Sequence, residues 1–231
     1  KEKFPETAFE FVNAGIASTG STPGAFRLSS EVLAKGKIDL LFEEAAVNDR
    51  TNGFDSLAQI RGMEGIVRQA KRYNPKMDIV LMHFVDPEKL IDYQHGVIPS
   101  EIQNHERVAE HYQVNSIHLA KEVFERIKNK EFTWADDFKD LHPSPFGQEV
   151  YFQSIKTFLN NAFNPVQKND VNTAYTLPNI LNDGSYDKAR YLSIKNAEIK
   201  SDFLMVDSWK PKDGAGTRKQ YVNIPALIGE K

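Results

Sequence analysis

The chain contains no cysteine. Disulfides, thiolate metal sites and a cysteine nucleophile are therefore excluded, while the compartment stays open. No stretch approaches the run of about eighteen apolar residues that a membrane-spanning helix needs. Nor is there an excess of charge, since 29 Lys+Arg stand against 32 Asp+Glu for a formal net charge of −3. Such a balance lacks the long-range attraction expected of a dedicated nucleic-acid binder. The chain opens on Lys1, without Met or a signal-peptide pattern, which leads us to expect that it begins inside a longer product. Serines placed for nucleophilic attack are scarce as well. Ser18, Thr19 and Ser21 sit in a polar turn, and turn chemistry is their expected role.

What is there is enough for one sizeable α/β core: 231 residues, with roughly sixty left over for an appendage. Ala8–Asn13 is a short apolar run ended by Asn-Ala-Gly, which reads as a buried strand. Residues 24–35 carry helical spacing and stop at Gly36, and 38–47 read as a second buried strand. Asp55 can cap a helix running to about Tyr73. Met77–Val85 reads as a third strand closed by Asp86-Pro87 and followed by a polar loop. Residues 99–128 read as a long helix with a break near Tyr112–Ser116, and 145–162 as another helix. Strands alternating with helices imply βαβ units and a mostly parallel sheet, with sites at the carboxyl ends of strands.

From about Pro165 the composition turns rich in Asn and Asp, and β-like runs appear at 191–194, 203–206 and 221–224. Asp183-Gly184 and Asp213-Gly214 are turn signals. The expected organisation is a domain over 1–164, then a linker and β-rich extension, or the start of a further β domain, over 165–231.

Two segments carry chemistry, Asp140-Leu-His142-Pro-Ser144 and Ala46-Val-Asn48-Asp49. Asp, His and Asn are the parts of an acyl-transfer site: an orienting carboxylate, a general base and a donor to a developing oxyanion. His142 lies in a loop before a helix, with Pro143 restricting the backbone, and is the candidate base. Asp140 is the first candidate to orient it, with Asp136 and Asp137 as rivals. Asn48 follows a strand and can present its amide to substrate, while Asp49 is expected to hold the turn. His83, at the end of a strand, either lines a substrate pocket or is a half-buried structural residue. Arg50 and Arg27 are candidate contacts for a substrate anion. His105, His111 and His118 are assigned to the surface, because ligands on one helix want three or four residues between them. No metal and no organic cofactor is expected.

In order and spacing, Phe11–Gly20, Ile38–Asp49 and Asp140–Gln148 resemble the second, third and fourth blocks of the SGNH (GDSL-type) hydrolases, over residues 8–163. The family's glycine before Asn-Asp is Ala46 here, and its Asp-x-x-His reads Asp140-x-His142, with Lys139 three residues before the histidine. The first block, with the nucleophilic serine, has no counterpart. The resemblance implies a three-layer α/β/α sandwich of the flavodoxin-like kind, with the β-rich extension appended. It implies hydrolysis of a short-acyl ester, such as an O-acetyl group on a carbohydrate, through a serine acyl-enzyme. It also implies a backbone oxyanion donor at Ser18, with Gly15 as the alternative. In a 2-1-3-4-5 sheet, residues 8–13 and 38–47 would be the second and third strands, and the first, which lies between them, would be missing. We therefore expect an upstream segment carrying a strand and the serine, without which Lys1–Lys231 should not fold stably. The alternative is a non-catalytic carbohydrate-binding or scaffold protein that retains the fold. A secreted or periplasmic location is favoured over a cytoplasmic one.

Overall fold

The computed structural model describes residues 4–163, 175–199, 202–211 and 223–229. Helix α1 (Ser21–Glu31) ends in a 3₁₀ turn over Leu33–Lys35, and Gly36 takes φ 132° to turn the chain into strand β1 (Leu40–Glu43). Two helices follow, α2 (Ala46–Thr51) and α3 (Ser56–Tyr73). The latter starts where the Asp55 carboxylate accepts from the Ala58 N–H at 2.7 Å. Strand β2 (Asp78–Met82) leads to α4 (Pro87–Gln94) and α5 (Ser100–Tyr112). Strand β3 (Asn115–Ile117), α6 (Leu119–Lys128) and α7 (Pro145–Ala162) complete the run.

The chain is α/β. Its three strands pair in parallel in the order β1-β2-β3, with Leu41 opposite Ile79 and Leu81 opposite Ser116. Alternate residues of the central strand enter two different cores. Ile79 and Leu81 join Ala25, Ile66, Val67 and Val108 of α1, α3 and α5, while Val80 joins Leu90, Val123 and Val150 of α4, α6 and α7. Burying each such aliphatic side chain contributes about 1.5–3 kcal/mol. A continuous apolar run is what a strand covered on both faces requires.

Four expectations are corrected. Ala8–Asn13 is not a strand: it is exposed, with Phe11 85% accessible, and an apolar run without a neighbouring strand has no ladder to join. The segment 38–47 divides, because the Glu44 carboxylate accepts from the Val47 N–H at 3.1 Å and opens α2 where the strand was expected to continue. The long helix 99–128 is two helices separated by β3, its break falling at Gln113, whose φ is 50°. Helix α4 also replaces the polar loop, with Asp86 as its cap, accepting from the Lys89 N–H at 2.8 Å.

Contacts divide the chain into units Lys1–Arg190 and Tyr191–Lys231. Residues 175–190, grouped by composition with the extension, belong to the first. There the fully buried Glu64 of α3 accepts from the N–H groups of Leu181 (2.5 Å) and Asn182 (3.1 Å) and from the Tyr112 hydroxyl. Asp187 pairs with Arg68 and Arg72. In the second unit, β4 (Phe203–Val206) pairs antiparallel with β5 (Ala226–Gly229). The run 203–206 is thus a strand. Residues 191–194 are not, since their last residue opens a 3₁₀ turn, Ile194–Asn196. Of the run 221–224, Asn223 and Ile224 are not in a strand, and its first two residues lie outside the described residues, as does Asp213-Gly214.

Candidate functional site

Beside the outer edge of β1, which carries no further strand among the described residues, lies a cleft of about 510 Å³. Gly15, Arg27, Glu43, Glu44 and Asn48 contribute to its wall. One buried side chain organises the surroundings. Asp49, fully buried, accepts from the Ser21 N–H at 2.7 Å through Oδ1 and meets His105 Nε2 at 2.8 Å through Oδ2. It thereby ties the start of α1 to α2 and α5. Glycine is required at Gly20 for this, since a Cβ there would stand 2.0 Å from Asp49 Oδ1. Asn52 adds a second tie by donating to the Ser18 carbonyl at 3.2 Å. The turn over residues 13–20 is thus held against the segment that bears Asn48.

Asn48 lines the cleft, and its side-chain amide has no hydrogen-bond partner among the described residues. Of the two backbone donors considered, the Gly15 N–H is occupied by Asn13 Oδ1 at 3.0 Å. Ser18 adopts φ 56°, the left-handed conformation that favours glycine. Thr19, on the cleft wall, donates its hydroxyl to the Ile16 carbonyl at 2.6 Å.

The Asp140–His142 loop lies between a π turn (Trp134–Phe138) and α7. Ser144 caps the helix, accepting from the Gly147 N–H at 3.3 Å, with Pro145 at its first position. Gly147 is needed for the loop to close on the helix, because a Cβ would come within 2.6 Å of Pro143 and 2.9 Å of Phe138. Asp140 Oδ1 accepts from the His142 N–H at 3.1 Å and stands 3.6 Å from its Nδ1. The rival Asp137 accepts from the Thr133 N–H at 2.8 Å, and Asp136 reaches the Thr133 hydroxyl at 3.3 Å. Asp140 is therefore the carboxylate beside the imidazole, even with the shortened spacing. The His142 side chain is 88% exposed, and neither it nor Asp140 forms part of the cleft wall.

The remaining sequence candidates separate. Arg27 lines the cleft; its Nη1 donates to Glu31 at 2.7 Å, and its buried Nε has no partner among the described residues. Arg50 is not available to a substrate anion, because Asp92, Glu88 and Glu101 surround its guanidinium. His83 is fully buried, with Nε2 2.6 Å from Glu106, and does not line the cleft. His105, assigned to the surface, is buried as the partner of Asp49. His111 is half-buried on the Asn179 carbonyl, and His118, the N-cap of α6, is exposed.

The fold resembles that of a solved esterase. Two crystal structures of a two-domain esterase (CEX) active on acetylated mannans match 92% of this chain. One, co-crystallised with mannopentaose, matches with a TM-score of 0.66 at 24% identity; the other does so at 0.65 and 22%. The chain spans about half the length of those structures, 52% and 53%. No family model and no curated protein matches.

Sequence reasoning missed the two acids of the cleft. Burial, then the neighbouring Glu44 charge, push Glu43 up to about 8; burial pushes Glu44 up to about 7, against the Val47 N–H. The visible signal was an acidic pair closing an otherwise apolar strand. Because each carboxyl binds its proton more tightly folded than unfolded, its contribution to stability is complete below pH 4.5 and is lost as pH rises through about 7 to 8. Glu43→Gln should accordingly raise Tm at about pH 9 and leave it unchanged near pH 4. Equal shifts at both values in thermal melts would refute the assignment.

Proposed function

We propose that the chain belongs to a serine-type carboxylic ester hydrolase of the SGNH kind, with a three-layer α/β/α domain. The substrates would be short-acyl esters, O-acetyl groups on a carbohydrate foremost. The observation that carries this reading is the Asp140–His142 pair, with carboxylate and imidazole 3.6 Å apart, on a fold shared with an esterase active on acetylated mannans. In the proposed reaction a serine hydroxyl attacks the acyl carbonyl and His142 takes its proton, with Asp140 fixing the tautomer. The tetrahedral oxyanion is held by the Asn48 amide and the Ser18 N–H, the latter preferred to Gly15 because that N–H already bonds Asn13. His142 returns the proton to the departing alcohol. Water, deprotonated by the same imidazole, then releases the acid. No metal or organic cofactor enters these steps.

The nucleophile is assigned to an additional segment that pairs with the outer edge of β1 and brings a serine within reach of both His142 and the Asn48 amide. Support comes from that unpartnered edge and from the cleft wall, whose one hydroxyl, that of Thr19, is bonded to Ile16. On this reading Lys1–Lys231 without the segment should be poorly stable, because each buried ladder group left unpaired costs about 1–3 kcal/mol. The exposed setting of His142 favours a second reading, a carbohydrate-binding scaffold without chemistry. Hydrolysis of short aryl esters and acetylated mannan by the complete gene product separates the two. Asn48→Ala should then lower kcat by about 10²–10³ with KM nearly unchanged, since that hydrogen bond strengthens only as charge develops. An effect confined to KM would make Asn48 a binding residue instead.

A further inference from the structure

Strands β2 and β3 deliver two histidines to one point. His83 follows directly on β2, its N–H donating to the Ile117 carbonyl at 3.1 Å and its carbonyl accepting from Ala120 at 2.7 Å, so its backbone is fixed in the sheet. His118 follows directly on β3. Glu106, from α5, lies between the two imidazoles: His83 Nε2 is 2.6 Å from Oε1, and His118 Nε2 is 3.4 Å from Oε2. The three donor groups fall within 4.8 Å of one another. We infer that His83, Glu106 and His118 form a binding site for a borderline divalent transition-metal ion of the zinc type, with one coordination position left for water.

The donor set carries the argument. Two neutral imidazoles and one carboxylate are a recurrent three-ligand set for zinc, and three protein ligands leave a fourth position for water. Tetrahedral bonds of about 2.1 Å place donor atoms roughly 3.4 Å apart. The His118–Glu106 separation of 3.4 Å already matches. The His83–Glu106 separation of 2.6 Å is that of a hydrogen bond, whose proton an entering ion displaces as the Glu106 side chain moves outward. Glu106 Oε2 also accepts from the Ser116 hydroxyl at 3.0 Å, a bond that orients the carboxylate. Burial is graded across the site, with His83 fully buried and the His118 side chain 44% exposed, so the open position faces solvent. Imidazole donors select zinc, cobalt or nickel over magnesium and calcium, which want oxygen. One feature limits the affinity. His83 Nδ1 is buried without a partner among the described residues, so the carboxylate or carbonyl that usually orients a ligating imidazole is missing.

Isothermal titration of the complete, EDTA-stripped and dialysed protein with zinc chloride should show one ion per chain. The dissociation constant should be on the order of micromolar, given that missing orienting bond. Cobalt chloride should produce visible d–d bands, and magnesium chloride should give no heat. Glu106→Gln and His118→Ala should each weaken zinc at least about tenfold and abolish the cobalt bands, whereas His111→Ala should change nothing. His118 is exposed and Glu106 half-buried, so both variants are expected to fold, which circular dichroism checks. Absence of binding in the parent protein overturns the inference and leaves a plain His–Glu–His hydrogen-bond cluster. Zinc binding that survives both substitutions overturns it equally.

Discussion

His142→Ala should abolish ester hydrolysis by the complete protein, lowering kcat by about 10⁴–10⁶-fold, while the melting temperature barely moves. The two halves of that expectation rest on one observation. The imidazole is 88% exposed, and its one polar neighbour among the described residues is the likewise exposed Asp140, so its removal orphans no buried group there. In chemistry it is the reverse: a general base removed from a unit of cooperating groups costs nearly the whole unit. Steady-state kinetics with short aryl esters, read beside a thermal melt, test both. Retained activity would remove His142 from the mechanism. Lost activity with an equally lost fold would mean that the loop supports the domain rather than the reaction.

Asp49→Ala should have the largest effect on the fold, about 2–6 kcal/mol, because two buried groups lose their hydrogen-bond acceptor and each group left unsatisfied costs about 1–3 kcal/mol. His105 and the Ser21 N–H would both lose their acceptor at a place without solvent. Urea titration followed by circular dichroism gives the number. Asp49→Asn, which keeps a carbonyl oxygen for one of the two donors, should cost clearly less. A loss under about 1 kcal/mol for the alanine variant would place this contact among ordinary surface pairs. The Ser18 turn should loosen along with the contact, so residual folded protein should also hydrolyse esters more slowly.

The comparison of these two residues shows what the sequence could reveal. The Asp140–His142 pair is local: two residues apart, before a helix whose Ser144-Pro145 start is written in the chain. The Asp49–His105 pair joins residues 56 apart, and no periodicity announces it. Helices α3 and α7 were legible from a cap and an apolar face. Helix α4 was overlooked although Asp86-Pro87 is a helix start as readily as a strand end. Strand β3 is three residues between polar neighbours and exists because β2 offers it a ladder. The run 8–13 shows the same rule in reverse, apolar enough for a strand but with no partner beside it. Arg50 was read as a candidate contact for a substrate anion for want of a view of Glu88, Asp92 and Glu101, which the fold brings around it.

The bonds that Glu64 accepts from Leu181 and Asn182 span 117 and 118 residues, and those that Asp187 makes to Arg68 and Arg72 span 119 and 115. Their consequence is one of timing. On the ribosome, α3 is complete long before the segment that covers its charged flank has been made. Until then Glu64, Arg68 and the Tyr112 hydroxyl face water, with one another as partners. Closing so long a loop is slow to begin but costs little more than closing one half its length, about 0.6 kcal/mol per doubling. Docking of residues 175–190 is therefore the step that should finish the first unit.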